Sequence, residues 1–190
     1  MKHPFFNRVL WLLIPLLTLS IPKAWGTTYT MTMDQNAKGN NNVHVTESTS
    51  PASKTYNAVT WSIAWAGKGS PTSGSKSQVQ FGTASNPCSS VTISTSGISG
   101  TISSVSVTCS GASSNDATVS ISVGGTAFKN GNNTSLSVGT TLNAKTFSGS
   151  ASGTIEISIS QSTSKALYVS AVSVTYTSCT NLGTINGSFS

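Results

Sequence analysis

Apolar and hydroxyl side chains alternate along most of the chain, most clearly from Ser99 to Cys109, S-G-T-I-S-S-V-S-V-T-C. Val105 and Val107 fall on one side and Ser104, Ser106 and Thr108 on the other, the period of two that marks a half-buried strand. The preceding segment, Ser90 to Thr95, carries Val91 and Ile93 on its apolar side. Ser96-Gly97-Ile98-Ser99-Gly100 reads as a hairpin loop between them, which sets Val91 opposite Val107 and Ile93 opposite Val105.

The same alternation extends both ways. Thr27 to Met33 interleaves Tyr29, Met31 and Met33 with threonines, and Asp34 to Asn42 is a loop by composition. Val43 to Thr46 is a short strand candidate, and Ser48 to Lys54, with Pro51, is a second loop. Tyr56 to Ala66 reads as a strand with Trp61, Ile63 and Trp65 on one face. A Gly/Ser/Pro loop then leads to a short strand from Gln78 to Gly82. Val119, Ile121 and Val123 run into Gly124-Gly125, a dipeptide suited to a tight hairpin turn, with Ala127 and Phe128 on the return. Leu136 with Val138, Leu142 to Phe147, the triplet Ile155, Ile157 and Ile159, and Leu167 to Tyr176 complete the set. No proline follows Pro87, which suits interior strands that need every backbone N–H. Roughly ten to twelve short strands at about 8–12-residue spacing, with no helical period, predict an all-β fold. Its economical form is a two-sheet antiparallel β-sandwich of jelly-roll type.

Residues 1–26 stand apart. Lys2, His3 and Arg8 precede an apolar run from Val9 to Leu19, and Ala24-Trp25-Gly26 puts small residues at −3 and −1 before Thr27. That is the form of a cleaved secretory signal peptide; a membrane anchor needs about 20 apolar residues. Residues 27–177 are then the sandwich domain, with no membrane span after cleavage. In residues 178–190, Leu182, Ile185 and Phe189 begin a fresh apolar pattern, read as a linker into a following module or as a frayed terminus. The expected location is secreted, extracellular or at the cell surface.

Composition changes the picture in two places. Of ten basic residues, Lys2, Arg8 and Lys23 leave with the leader; the remaining seven lysines against four acids give +3. Those lysines are scattered, so nothing gathers the basic face that nucleic acid requires, and no nucleic-acid partner is expected. The three cysteines point to one disulfide with a residue left over. Cys88 and Cys109 flank the predicted hairpin and are the natural pair, with a bulge at Ser89-Ser90 bringing both to the same face. Cys179 is left to pair outside the chain or to stay free.

Catalytic chemistry finds little support. His44 is the sole histidine after the leader, in V-H-V-T, and no G-x-S-x-G elbow occurs. Asp34, Glu47, Asp116 and Glu156 are the only carboxylates, and Glu156, between two isoleucines of the apolar side, points to solvent. No catalytic residue is assigned, and no cofactor. Asp34, Asn36 and Gly39 match positions one, three and six of a calcium loop. Lys38 at a ligand position and Val45 in place of the closing Glu argue for an Asx-rich turn instead, so no metal site is assigned.

Binding chemistry rests on the aromatics. Trp and Tyr rings stack on the apolar faces of sugars while amides and hydroxyls bond the hydroxyl groups. Trp61, Trp65, Tyr56 and Tyr168 are the candidate platform. A Trp-x-Ile-x-Trp face is more often core, where such rings contribute large burial.

Gln80-Phe81-Gly82, Ser90-Val91-Thr92-Ile93, Val123-Gly124-Gly125-Thr126 and Ser152-Gly153-Thr154-Ile155-Glu156-Ile157 carry a family likeness. So do Ala166-Leu167-Tyr168-Val169 and the closing Val172-Ser173-Val174-Thr175-Tyr176. Residues 79–176 resemble a recurrent β-sandwich module of secreted multidomain proteins from Gram-negative anaerobes, carbohydrate-binding-module-like or galactose-binding-like. The resemblance implies a non-catalytic accessory module beside other domains of a longer protein, with a glycan or surface polymer as partner. The alternatives are a structural spacer that displays a neighbour and binds nothing, and a hydrolase whose catalytic part lies beyond Ser190.

Overall fold

The computed structural model describes residues 26–35, 42–73 and 77–178. The predicted leader, save Gly26, lies outside them, as do Asn36 to Gly39 of the predicted Asx-rich turn, Cys179 and the rest of the tail. In chain order the strands are β1 (Thr27–Thr32), β2 (Ala52–Tyr56), β3 (Val59–Gly67), β4 (Pro71–Ser73), β5 (Val79–Phe81), β6 (Cys88–Thr95) and β7 (Thr101–Gly111). They continue with β8 (Thr118–Val123), β9 (Thr126–Ala127), β10 (Ser135–Ser137), β11 (Asn143–Ala151), β12 (Ile155–Lys165) and β13 (Leu167–Thr177).

These strands form two antiparallel sheets packed face to face. The first runs β11-β7-β13-β5-β4, with β1 beside the later half of β13; the second runs β10-β8-β12-β6-β3-β2, with the short β9 also on β8. Counting β5, β6, β7, β8, β10, β11, β12 and β13 as strands one to eight, the sheets are ordered 1-8-3-6 and 2-7-4-5. That is a jelly roll, in which the chain changes sheets at nearly every step. Among the described residues no helix is long and apolar enough to cross a membrane.

The core is the sum of the inward faces. Val105, Val107, Val172 and Val174 of the first sheet meet Val91, Ile93, Ile155, Ile157 and Ile159 of the second, all buried. Each such side chain contributes about 1.5–3 kcal/mol when removed from water, so the alternation in the sequence is the main driving force of the fold. Gly124 and Gly125 make the predicted tight turn, both at positive φ (55° and 79°), joining Val123 to Thr126.

Four expectations need correction. Residues 88–95 and 101–111 are not a hairpin: β6 and β7 lie in opposite sheets, and the loop between them carries the chain over one end of the sandwich. Val91 pairs with Trp65 and Ile159, whereas Val107 pairs with Lys145 and Val172. The predicted Cys88–Cys109 disulfide fails with it, because the two residues are not strand neighbours. Cys88 lies opposite Gly67 and Lys165, Cys109 opposite Asn143 and Val169, and both are buried free thiols. Finally, residues 52–54 belong to a strand, and β2 and β3 form a hairpin turning at Asn57 and Ala58, both at positive φ (45° and 64°). Of the predicted strand Val43 to Thr46 there is a single bridge, Val43 to Met33.

Candidate functional site

The four candidate aromatics are not brought together. Trp61 is fully buried, its indole N–H donating to the Tyr29 hydroxyl at 3.1 Å, and its ring lies stacked on Tyr29 with centroids 6.0 Å apart. Trp65 is buried against Phe81, centroids 6.1 Å apart. Tyr56 is half-buried edge-on to Tyr29. Trp61 and Trp65 belong to the core, with Tyr29 and Tyr56 packed partly buried against it.

Tyr168 is placed differently, and the reason is local. Counting back by twos from Val172 puts residue 168 on the inner face. Instead β13 carries an irregularity in which Val169 pairs with Cys109 and Ala171 with Thr108, leaving Ser170 as the extra residue. A bulge of this kind reverses which side chains face outward and is common beside functional sites. Val169 therefore enters the core, and Tyr168 turns to the outer face of the first sheet, level with Ser110 and Gln80.

There it walls a groove of about 460 Å³ floored by Gln78, Gln80 and Ser110 and rimmed by Ser113, Thr140 and Thr141. Gln78 is 6 % exposed and Ser110 4 % exposed. Among the described residues neither side chain has a hydrogen-bond partner, and the same holds for the Tyr168 hydroxyl. The polar atoms of both open into the groove; the enclosed side-chain atoms without a partner among the described residues are His44 Nε2 and Gln161 Oε1, and neither residue lines the groove. Gln80 is partly engaged, its amide donating to the Gly82 carbonyl at 2.8 Å. The spacing Gln78-Val79-Gln80 was the sequence signal for this floor: two amides on the outer side of one short strand.

The groove wall is held by hydrogen bonds within the fold. Gly111 N–H donates to the Gly139 carbonyl (2.9 Å) and Ala112 N–H to that of Ala166 (3.0 Å). The Asn115 amide donates to the Ala112 carbonyl at 2.8 Å and its oxygen accepts from Ala117 N–H at 3.1 Å. Gly111 suits this closeness: a Cβ there would stand 2.4 Å from the Asn115 carboxamide carbon, and the side chain would have to move. On the other side, Asp116 accepts hydrogen bonds from the hydroxyls and backbone N–H groups of both Ser162 and Thr163. The hydroxyls of Ser162 and Thr163, with the N–H groups, hold its carboxyl well below the usual carboxylate range. Gln161, nearly buried, donates to the carbonyls of Cys88 (2.6 Å) and Lys165 (2.9 Å). The Lys165 ammonium donates to the Ser113 carbonyl at 2.6 Å. The end of β12 and the loop after β7 are thereby fixed to each other.

Beyond the groove the outer face is uncharged. Thr146, Ser106, Ser173 and Thr30 stand in one row across four strands, with Thr30 and Ser173 hydroxyls 3.0 Å apart and Thr146 donating to Ser106 at 3.0 Å. The arrangement offers hydrogen-bonding amides and hydroxyls beside one aromatic ring. Among the described residues no three His, Cys, Asp or Glu side chains come together as metal ligands. The sequence matches no protein-family model, and no curated protein matches it.

Proposed function

We propose that this is a domain of a secreted, non-catalytic accessory module that binds glycan or a surface polymer in the groove beside Tyr168. The observation that carries the reading is the pair of groove-floor side chains, Gln78 and Ser110, whose polar atoms open into the groove unengaged by the fold, beside the half-buried phenol ring of Tyr168. A ring face with amides and hydroxyls around it suits a sugar, which offers an apolar face and a rim of hydroxyls. The leader-like residues 1–26 and the resemblance to modules of secreted multidomain proteins support secretion and neighbouring domains.

Calorimetric titration of residues 27–190 with a panel of soluble polysaccharides tests this. Saturable binding to one polymer class is expected, weakened about tenfold or more by Tyr168→Ala and by Gln78→Ala, which corresponds to about 1.4 kcal/mol. Binding by no polymer, or binding indifferent to both substitutions in folded protein, overturns the groove as the site.

The spacer reading has its own observation: Trp61 and Trp65 are spent on the core. A protein that binds no polymer, yet loses stability when either tryptophan is truncated, is that spacer.

A further inference from the structure

The groove does not end at Tyr168. A second cavity of about 310 Å³ adjoins the first and shares Gln80, Ala112, Ser113 and Tyr168 with it. Each is of the size of a small-ligand site, so the two together offer room for at least two sugar rings, one on either side of the phenol. The two halves differ in charge. The first is lined by uncharged residues alone, and the second holds Lys165.

Lys165 is the only charged residue in either lining. Its ammonium meets a neutral carbonyl, that of Ser113, and not a carboxylate; among the described residues the one ion pair is Lys54 with Glu47. An ammonium has three donors, so one is held by Ser113 and two remain. Gln161 holds the Lys165 backbone carbonyl, and the bond to Ser113 places the ammonium at a cavity with no acid in its lining.

We propose that the groove takes an acidic glycan of at least two units, with the anionic group of one sugar on Lys165 and its neighbour over Gln78 and Ser110. The proposal rests on the glycan reading above and narrows it to sugars bearing a carboxylate or sulfate. An oxygen anion on the ring accepts from the two free ammonium donors, and such charge-assisted bonds are shorter and about twice as strong as neutral ones.

The test compares an oligogalacturonate, the same oligomer with its carboxyl groups reduced to alcohols, a sulfated dextran and the monomer galacturonate, all by calorimetry on residues 27–190. The acidic oligomer is expected to bind about tenfold or more tightly than its reduced form, and added salt is expected to weaken it. Lys165→Gln is expected to remove that difference and Lys165→Arg to keep it. Loss of stability in Lys165→Gln does not spoil the comparison, because the reduced oligomer probes charge selection in the unaltered protein. Binding of sulfated dextran alone, lost in Lys165→Gln, supports the proposal with sulfate as the anion. Equal binding of acidic and reduced oligomers overturns the charge selection while leaving glycan binding intact. Equal binding of the monomer and the oligomer overturns the two-ring arrangement. Indifference of every ligand to Tyr168→Ala removes the groove reading itself.

Discussion

Trp61 of the second sheet and Tyr29 of the first are joined across the sandwich by a 3.1 Å hydrogen bond from the indole N–H to the phenol oxygen. The same phenol donates to the Tyr56 carbonyl at 2.7 Å, so one side chain ties β1 to both strands of the β2–β3 hairpin. Burial pushes the Tyr29 hydroxyl up in pKa, which keeps it a neutral donor at physiological pH. Tyr29→Phe keeps the ring and removes both bonds, leaving the Trp61 N–H buried without a partner. The expected cost is about 1–3 kcal/mol, read from the midpoint of denaturant unfolding, with polysaccharide binding unchanged. An unaltered midpoint means that the contact across the sheets carries no stability.

The buried thiols make a second expectation. Cys88 donates its S–H to the Ser90 carbonyl at 3.1 Å, and Cys109 is wholly enclosed. Burial pushes both thiols up, that of Cys109 to about 11, and the thiolate is the reactive form. In a Cys179→Ser background, a thiol-directed reagent at neutral pH is expected to label neither residue in native protein and both in denaturant. Intact mass with no loss of two hydrogens is the companion result. Rapid labelling of native protein, or a mass showing an internal disulfide, contradicts the placement.

The strand faces were legible in the sequence and the strand partners were not. Val91 and Val107 both turn inward as their alternation requires, but alternation is the same for two strands that share a ladder and two that face each other across a core. Only the jelly-roll order separates those cases, and it depends on contacts distant in sequence. Trp61 and Trp65 show the same limit at the level of the site. Their shared face was visible, but whether it met solvent or Tyr29 and Phe81 depended on where β1 and β5 came to rest. Tyr168 was singled out as a ring without its setting, because the bulge at Ser170 that turns it outward has no signature in a V-S-A-V run. Lys165 and Ser110 went unmarked because a lone lysine and one serine among many carry no pattern.

Asp116 gives a pH dependence. Its carboxylate is held by four donors on Ser162 and Thr163, which lowers its folded-state pKa below the unfolded value. A depressed carboxylate pKa contributes stability that is fully present above the unfolded value, about 3.9, and is lost as pH falls through the folded one. Asp116→Asn is therefore expected to melt below wild type at pH 6–7 by a margin that is flat there and narrows below about pH 4. Because Asp116 is exposed, salt is expected to reduce the margin. A margin independent of pH assigns the effect to shape and not to charge.

Gly111→Ala separates the groove from the fold. The atoms nearest the added Cβ are the carboxamide end of the Asn115 side chain, which can swing away. Swinging away releases the Ala112 carbonyl and the Ala117 N–H, two bonds worth about 0.5–1.5 kcal/mol each, so the protein is expected to remain folded with a modestly lower melting temperature. The groove wall, however, loses the tie that sets Ala112 and Ser113 against Tyr168. Polysaccharide affinity is expected to fall about tenfold, with Asn115→Ala giving the same loss and no added effect in the double variant. Additive losses, or binding untouched by either change, mean that the ligand does not lean on this wall and that the ring and the buried amide act without it.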